Sequence, residues 1–508
     1  MLIRKMILFL RWGELRQGGE STGHTQRCPV LCGQRFPSVV ELRLYVQGDL
    51  SMHQSVTCAG PRGRRDFLRA GVLAAGGLTL PELLAARRAS AAPAANLPDT
   101  SVILFWMWGG PSQLETFDPK PEAPSEYRGP FGAISTAVPG MDICEIFPQL
   151  ATRADRYSLI RSVRHDMAAH NDGSIEMLTG RTPLRPDPTS LAHSEHPDMG
   201  MITSRMRGRH PAGLPQYVGI PTKPFMTRPQ YLGVSHTAYV TGDPSVAGFR
   251  PANLRLEAGL NAERLSDRLQ LSAQFDRLRR RFDEGAAAGS GEFHQQAYEM
   301  LSSGRVAEAF DLEQESSELR DRYGRTLWGQ SCLLARRLAE AGVGLITIDA
   351  QAPQNGLKRY FSWDDHVIPM YDWDLGPAML FRARDMDPAL STLIDDIHQR
   401  DLNRRILVVA MGEFGRTPRL SAAGGLQGRD HWPHAMSVLV SGGGWRMGQV
   451  IGATTGRAEY PVERPLTPQD LLATIYRHLG IDPNVEFEDF GGRPQRILLH
   501  GQPIQELL

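Results

Sequence analysis

The sequence predicts an α/β protein in which a mostly parallel central sheet lies between helices. Five short apolar runs carry this prediction, because continuous apolar runs are typical of strands buried on both faces of a sheet. Segments with helical periodicity separate the runs, and strands that alternate with helices imply crossover connections between parallel strands. The apolar runs occupy residues 101–108, 157–163, 343–349, 405–411 and 436–441.

Three helical patterns lie between or after these runs. The first covers residues 308–341 with a break near Tyr323-Gly324, and the second covers 388–403 with Asp387 as its N-cap. The third covers 467–479 and ends at Gly480. Sheets of this kind place their functional sites beyond the carboxyl ends of the strands, so the polar residues that follow each apolar run are the candidates.

The composition excludes several classes of protein. The chain has 508 residues, with 56 Lys+Arg and 56 Asp+Glu, so the formal net charge is zero. A nucleic-acid-binding protein usually carries a basic footprint that is missing here. Five cysteines cannot form a stabilising disulfide framework for a chain of this length. The sequence contains no run of 18 or more apolar residues, so it predicts no stable membrane span.

The N-terminal region is similar to a twin-arginine (Tat) export signal. Arg64-Arg65 precede a mild apolar stretch, and Ala89-Ser90-Ala91 has the form of a signal-peptidase site. The alternative is an amphipathic helix with two solvated arginines. We expect residues 61–91 to be the leader and the mature protein to be periplasmic or extracellular. Residues 1–60 are then a non-native or disordered extension that results from a start codon assigned too far upstream. The alternative is that they form a genuine cytosolic segment.

We expect residues 92–508 to form one domain. Residues 181–260 are rich in Pro, Gly and His and have no clear period, and a charged, partly helical stretch follows them. The segment 181–300 is therefore predicted to consist of loop and helical insertions.

Two candidate segments follow the first two apolar runs. Residues 108–121 contain Glu115 and Asp118, which could ligate a cation or be solvated acids in a turn. Residues 165–183 contain two histidines and the start of an apolar helix, where His170 could be a metal ligand, a base or a nucleophile. A capped helix with surface histidines is the alternative. The polar candidates of this segment are His165, His170, Asn171, Ser174 and Arg181.

Two further segments combine carboxylates with imidazoles. In Trp363-Asp364-Asp365-His366, the side chains of Asp364 and His366 can converge on one ion, although the tetrapeptide alone is weak evidence. Arginines near the last two runs could grip a phosphate or sulfate group as bidentate forks. The candidates in these last segments are Glu413, Arg416, Arg429, Asp430, His431 and His434.

Taken together, the motifs resemble the DUF1501 family over about residues 99–508. They are GGPSQLETFDPKP (109–121), HN-x-x-S-x-x-x-LTG (170–180), WDDH (363–366), GEFGRTP (412–418) and GRDHWP (428–433). The family is similar to the alkaline phosphatase and sulfatase superfamily. That similarity implies an alkaline phosphatase-like fold, one or two divalent ions such as zinc or calcium, and a nucleophile at a helix N-terminus.

The resemblance implies roles for individual residues. His170 stands where a sulfatase has its nucleophilic Cys or Ser, Asp364 and His366 resemble a metal-binding pair, and Glu413 stands at another ligand position. His431 or His434 resembles the late histidine ligand. Because His170 is not Cys, Ser or Thr, formylglycine chemistry is impossible there.

The sequence also departs from the superfamily pattern at a second position, where Phe414 replaces an expected histidine ligand. A single ion, zinc or calcium, held by Asp364, His366, Glu413 and a late histidine is therefore the expectation.

Two functions are consistent with these residues. The first is a metal-dependent hydrolase of a phosphate or sulfate ester, with an anionic or sulfated carbohydrate as the expected substrate. In this hypothesis, Arg181 or Arg416 stabilises the transferring group. The second is a pseudoenzyme of the same fold that binds a ligand or partner without turnover. The sequence carries no information on oligomeric state.

Overall fold

The structure is a computed structural model that describes residues 97–251, 254, 300–301, 303–351, 362–367 and 373–508. The predicted leader with Arg64 and Arg65, the extension 1–60, and residues 255–299 of the predicted insertion lie outside the described residues. The described part contains no helix that is both long enough and apolar enough to cross a bilayer.

An eight-stranded sheet forms the centre of the fold. Its strands lie in the order β14-β4-β13-β8-β1-β7-β5-β6, and β13 is antiparallel to both of its neighbours while all other neighbours are parallel. These strands are β1 (Ser101–Trp106), β4 (Tyr157–Val163), β5 (Tyr217–Ile220), β6 (Tyr239–Val240), β7 (Leu345–Asp349), β8 (Ile406–Met411), β13 (Met436–Gly442) and β14 (Val450–Ile451). The mixed, mostly parallel sheet predicted from the sequence is confirmed.

The remaining elements are helices and short two-stranded ribbons. The helices are α1 (Ser125–Arg128), α2 (Pro148–Ala151), α3 (His170–Thr179), α4 (Met199–Arg207), α5 (Gly304–Phe310), α6 (Ser317–Tyr323), α7 (Leu327–Glu340), α8 (Leu375–Gln399) and α9 (Pro468–Leu479). The ribbon strands are β2 (Ala133–Ser135), β3 (Asp142–Cys144), β9 (Gly415–Arg416), β10 (Ser421–Ala423), β11 (Leu426–Gly428), β12 (His431–Trp432), β15 (Ala453–Thr454), β16 (Pro461–Glu463), β17 (Glu486–Glu488) and β18 (Pro494–Arg496).

The sheet has a hydrophobic core on each face. Along β1, Val102, Leu104 and Trp106 face one core, while Ile103 and Phe105 face the other, as the alternation of side chains along a strand requires. Helices α3, α4 and α9 cover the first core, and α7 and α8 cover the second. Because both faces are covered, the long strands are almost entirely buried and mostly apolar, which is why they appear in the sequence as nearly continuous apolar runs.

Two sequence-based assignments were wrong. Asp387 does not cap a helix at 388, because α8 runs through Pro388 from Leu375 to Gln399. Its carboxylate instead accepts hydrogen bonds from the backbone N–H groups of Gln149 and Leu150, at 2.9 and 2.8 Å, and so caps α2 from a distance.

Residues 181–300 are not insertions throughout, because β5 belongs to the central sheet and pairs with β7. Four residues with a central glycine are too few to show a period in the sequence.

The topology brings the candidate segments to one edge. The carboxyl ends of β1, β4, β7 and β8 lie at the same edge because these strands are parallel in direction. The antiparallel β13 begins at that edge, so the residues that precede it also lie there. The loops after β1, β4, β7 and β8 and the loop before β13 therefore meet, as expected for a sheet of this kind.

Acid should destabilise the fold through a buried histidine. His478 in α9 is 8% exposed and hydrogen-bonds the Ser101 carbonyl at 3.1 Å, and burial lowers its pKa from 6.5 to about 4. A folded-state pKa below the unfolded value gives stability that is complete above pH 6.5 and is lost as the pH falls through 4.

Between pH 7 and pH 4 the wild type should lose free energy of unfolding, and we expect this loss to be about 3 kcal/mol smaller in His478→Gln, which has no imidazole to protonate. Urea unfolding at pH 7 and pH 4 would measure it. Equal losses in the variant and the wild type would contradict this prediction.

Candidate metal centre

Four side chains converge at the carboxyl edge of the sheet. Ligand atoms of His170, Asp364, His366 and His431 all lie within 4.8 Å of one another, and we call these four residues the His/Asp cluster. The Nε2 atoms of His366 and His431 are 2.8 Å apart, and they lie 3.1 and 3.3 Å from Oδ1 of Asp364. Nε2 of His170 lies 3.2 Å from the other oxygen, Oδ2, of Asp364.

Each member of the cluster is held by its own local structure. His170 is the first residue of α3, and His431 lies in β12, where it pairs with Arg416 of β9. Asp364 and His366 come from one loop, which is anchored by the residues between and before them. Asp365 is fully buried in a salt bridge to Arg382 at 2.6 Å, and Trp363 is fully buried.

Hydrogen bonds at the Nδ1 atoms orient the three imidazoles. Nδ1 of His366 lies 2.7 Å from Oδ1 of Asp430, and Nδ1 of His431 lies 2.6 Å from the Ala168 carbonyl. Both partners are acceptors, so they assign the proton to Nδ1 and leave a lone pair on Nε2 in the neutral ring. Nδ1 of His170 likewise lies 2.7 Å from Oε1 of Glu413.

The charges of the cluster favour a cation at its centre. Burial alone would lower the pKa of His170, but its contacts with Asp364 and Glu413 outweigh burial and raise the pKa to about 9. For Asp364, burial would raise the pKa, but its contacts with the three imidazoles and with the Arg416 guanidinium hold it well below its usual range. Both shifts show that two carboxylates make this point favourable for a positive charge.

The geometry fits a transition-metal ion. A tetrahedral ion with ligands at 2.0–2.1 Å has ligand–ligand edges of about 3.3 Å. The triangle formed by His366, His431 and Asp364 has edges of 2.8, 3.1 and 3.3 Å. In the tautomers set by their Nδ1 partners, two nitrogen lone pairs and a carboxylate oxygen face one another there. A cation would turn this repulsion into coordination, with Asp430 and the Ala168 carbonyl as the outer partners that such ligands usually have.

Arg416, predicted to stabilise a transferring group, is instead a fully buried structural residue. Its guanidinium donates to Oδ1 of Asp364 at 2.7 Å and to the carbonyls of Gly109, Gly110, Trp363 and Arg429. These bonds engage every nitrogen of its side chain, and because the side chain is fully buried it lies out of reach of a ligand in solution.

Glu413, predicted as a ligand, lies behind His170 rather than in the cluster. It is fully buried, and its Oε1 accepts from the backbone N–H of Gly109 at 2.8 Å as well as contacting His170. Within the described chain, Oε2 of Glu413 has no hydrogen-bond partner. His165 supports the same loop, because its Nε2 contacts the Glu413 carbonyl at 2.6 Å.

The first candidate acids serve the surrounding scaffold. Glu115 forms a buried salt bridge with Arg429 at 2.7 Å, and the remaining donors of Arg429 bond backbone carbonyls. Asp118 is fully buried and contacts Lys120 at 2.9 Å and the hydroxyl of Thr454. Neither carboxylate joins the His/Asp cluster, because each is already neutralised by its own partners.

Four other candidates lie apart from the cluster. Arg181 follows the C-terminus of α3, eleven residues or about 16 Å along the helix from His170, and it bonds the Arg496 carbonyl. His434 lies 3.6 Å from Asp166 instead. The amide of Asn171 donates to the Ala192 carbonyl at 2.8 Å, and Ser174 is fully buried within α3.

Aromatic rings border the cluster. The ring of Trp108 lies 5.0 Å from that of His170, and the 45% exposed Phe225 contacts Trp108 edge-on at 5.7 Å. Phe414, which is fully buried, packs 4.5 Å from His431. The cluster is still open on one side, because the side chains of Asp364, His366 and His431 are 26%, 28% and 21% exposed.

Sequence reasoning missed the outer partners of the imidazoles. The sequence makes Asp430 a candidate by residue type but does not show that it pairs with His366, and the Ala168 carbonyl carries no side-chain signal. The role of Gly109 was also missed. Its φ is +113°, and a Cβ there would lie 2.5 Å from the Asp364 backbone nitrogen. Only glycine permits this contact between the loop after β1 and the loop that carries Asp364.

Fold and site together define a mixed α/β protein with a candidate metal centre at the carboxyl edge of its sheet. The chain belongs to the DUF1501 family, described as a protein of unknown function, whose family model matches residues 99–508. A search of curated proteins finds no match to this sequence.

Several solved structures are similar at low identity. Ps i-CgsB, solved in complex with k-i-k-neocarrahexaose, is 11% identical over 75% of this chain and 72% of that chain, with a TM-score of 0.32. The PsFucS1 sulfatase from Pseudoalteromonas sp. is 12% identical over 83% and 72%, with a TM-score of 0.32. The phosphonate monoester hydrolase SpPMH from Silicibacter pomeroyi is 15% identical over 66% and 69%, with a TM-score of 0.29.

Arg416→Lys should destabilise the protein, because an ammonium cannot reproduce the bonds of the buried guanidinium. We expect the free energy of unfolding to fall by about 3 kcal/mol or more, as measured by urea unfolding. The matched control is Arg384→Lys, where an exposed guanidinium pairs with its sequence neighbour Asp385. A change of less than about 0.5 kcal/mol at both positions would show that Arg416 does not hold the site together.

Proposed function

We propose that the protein is a hydrolase of phosphate or sulfate esters that uses one zinc-type ion held by Asp364, His366 and His431. The observation that carries this proposal is the convergence of two Nε2 atoms and Oδ1 of Asp364 at 2.8 to 3.3 Å. Imidazole ligands suit zinc and related transition metals, whereas calcium takes six to eight oxygen ligands. The donor set therefore favours zinc over calcium.

Three protein ligands with an accessible side are typical of catalytic zinc sites. The bound ion supplies a Lewis acid that polarises an ester oxygen. His170 stands beside the ligands, with Nδ1 on Glu413 and Nε2 directed to the cluster. Because its pKa is raised to about 9, His170 is an imidazolium at neutral pH, and in this proposal its Nε2 donates a proton to the leaving alcohol oxygen while Glu413 stabilises the charged ring.

The reaction is a single displacement. The water oxygen bonds to phosphorus or sulfur as the ester bond breaks, and the leaving alcohol oxygen takes up the proton of the His170 imidazolium. The attacking water returns one proton to the ring, and its second proton stays on the phosphate or sulfate product. The side chains seen to contact the cluster in the described chain are carboxylates, imidazoles, a guanidinium and aromatic rings. None of these groups is a hydroxyl or thiol, which supports direct attack by water over a covalent intermediate on Ser, Thr or Cys.

A pseudoenzyme is the second candidate, and a separate observation favours it. Both arginines of the candidate motifs, Arg416 and Arg429, are fully buried and bonded internally, so neither is free to grip an anionic ester. In this alternative the ion holds loops together around a ligand-binding surface that includes Trp108 and Phe225.

We extend the proposal to location and substrate. The Arg64-Arg65 signal supports export by the Tat pathway to the periplasm or beyond. The exposed ring of Phe225 and the partly buried ring of Trp108 beside the cluster support a carbohydrate that carries the ester group, because aromatic rings combine apolar surface with a polar edge.

Metal content tests the centre directly. The wild type, purified without added metal or chelator, should contain one zinc-type ion per chain by elemental analysis, and His366→Ala/His431→Ala should contain none. His434→Ala is the matched control, because His434 lies in the same segment but outside the cluster, and it should keep its ion. A wild type without metal, or a double variant that retains it, would end the metallohydrolase proposal.

His170→Ala separates the proton carrier from the ligands. We expect it to keep its ion but to lose roughly 10²–10⁴-fold in kcat against aryl phosphate and aryl sulfate esters. Complete loss of the ion would instead make His170 a fourth ligand.

Glu413→Gln should retain the ion, with kcat reduced roughly 10–100-fold. A wild type with full metal that turns over neither ester would favour the pseudoenzyme.

A further inference from the structure

A second cleft lies at the opposite, amino-terminal edge of the sheet. Its volume is about 960 Å³, and its lining includes the segments that precede β1, β5, β7 and β8. Seven arginines and four Asp or Glu residues line it. The whole chain has no net charge, so this excess of cations is a local feature.

Most of these arginines are neutralised within the cleft. Arg336 and Arg337 both pair with the partly buried Glu315, at 2.7 and 2.5 Å, and Arg405 pairs with Asp99 at 2.9 Å. Such pairs hold neighbouring helices and strands together and leave little charge for a ligand. The remaining excess must therefore come from other positions.

Arg207, the last residue of α4, lines the cleft but forms no ion pair among the described residues. Its Nη2 donates only to neutral acceptors, the Pro98 carbonyl and the Thr100 hydroxyl, each at 3.1 Å. Its Nε is buried and has no hydrogen-bond partner among the described residues. Burial, together with the neighbouring Arg405, lowers the pKa of Arg207 to about 10, although Asp99 opposes the shift.

Arg207 is partly buried and no carboxylate forms an ion pair with it among the described residues, so its charge favours an anion from solution. Arg305, which is exposed on the same cleft, also has no ion pair within the described chain. We propose that the cleft binds a small anion bearing a phosphate or sulfate group, with Arg207 as its anchor and Arg305 at its rim. The planar guanidinium matches such oxygens in a bidentate fashion. This site does not depend on the proposed hydrolase activity.

Calorimetric titration with inorganic pyrophosphate and with sulfate tests the site. The wild type should bind at one site, and His366→Ala/His431→Ala should bind equally well because the metal centre lies at the other edge. Arg207→Ala should weaken binding roughly tenfold or more. Arg384→Ala, which changes an exposed arginine outside the cleft, should leave binding unchanged.

Arg305→Ala is a second variant that tests the site without a risk of misfolding, because the Arg305 side chain is exposed. It should weaken anion binding roughly threefold. Arg207→Ala should also fold with an undiminished melting temperature, because it removes an uncompensated charge.

Two results would overturn the proposal. One is the absence of binding to the wild type up to about 10 mM anion. The other is binding that survives Arg207→Ala but disappears in the histidine double variant, which would assign the anion to the metal centre.

Discussion

The buried guanidinium of Arg416 is the interaction on which the site depends. A guanidinium without solvent must have its donors satisfied, or the cost of burying it is not recovered. Here the carbonyls of Gly109, Gly110, Trp363 and Arg429 supply the acceptors, together with Asp364. These groups come from three separate loops, so one side chain draws the loops together and fixes the orientation of the carboxylate at the centre of the cluster.

The same logic explains the WDDH segment. Its residues divide into two kinds, because Trp363 and Asp365 are fully buried while Asp364 and His366 reach the cluster. The salt bridge from Asp365 to Arg382 fastens the loop to α8. The buried Trp363 and Asp365 thus hold the loop in place, and this leaves the side chains of Asp364 and His366 available to the cluster.

The sequence predicted the sheet well and the roles of individual residues less well. Strands β1, β4, β7, β8 and β13 were found because burial on both faces leaves a continuous apolar run, and their direction placed the right loops at one edge. The role of Arg416 could not be predicted, because its residue type does not reveal that backbone carbonyls use its donors. The capping of α2 by Asp387 could not be predicted either. The role of Arg416 and the role of Asp387 both depend on contacts between residues far apart in the chain.

The unequal use of the two Asp364 oxygens bears on whether the centre is structural or catalytic. His366 and His431 share Oδ1 with the Arg416 guanidinium, whereas His170 faces Oδ2 from the other side. His170 also has a dedicated acceptor, Glu413, which is buried and anchored by the Gly109 N–H. The proposed ligand His366 also has a carboxylate partner, Asp430, but that side chain is 58% exposed whereas Glu413 is fully buried. A buried carboxylate at this position is better suited to stabilising an imidazolium, and this favours His170 as a carrier of protons.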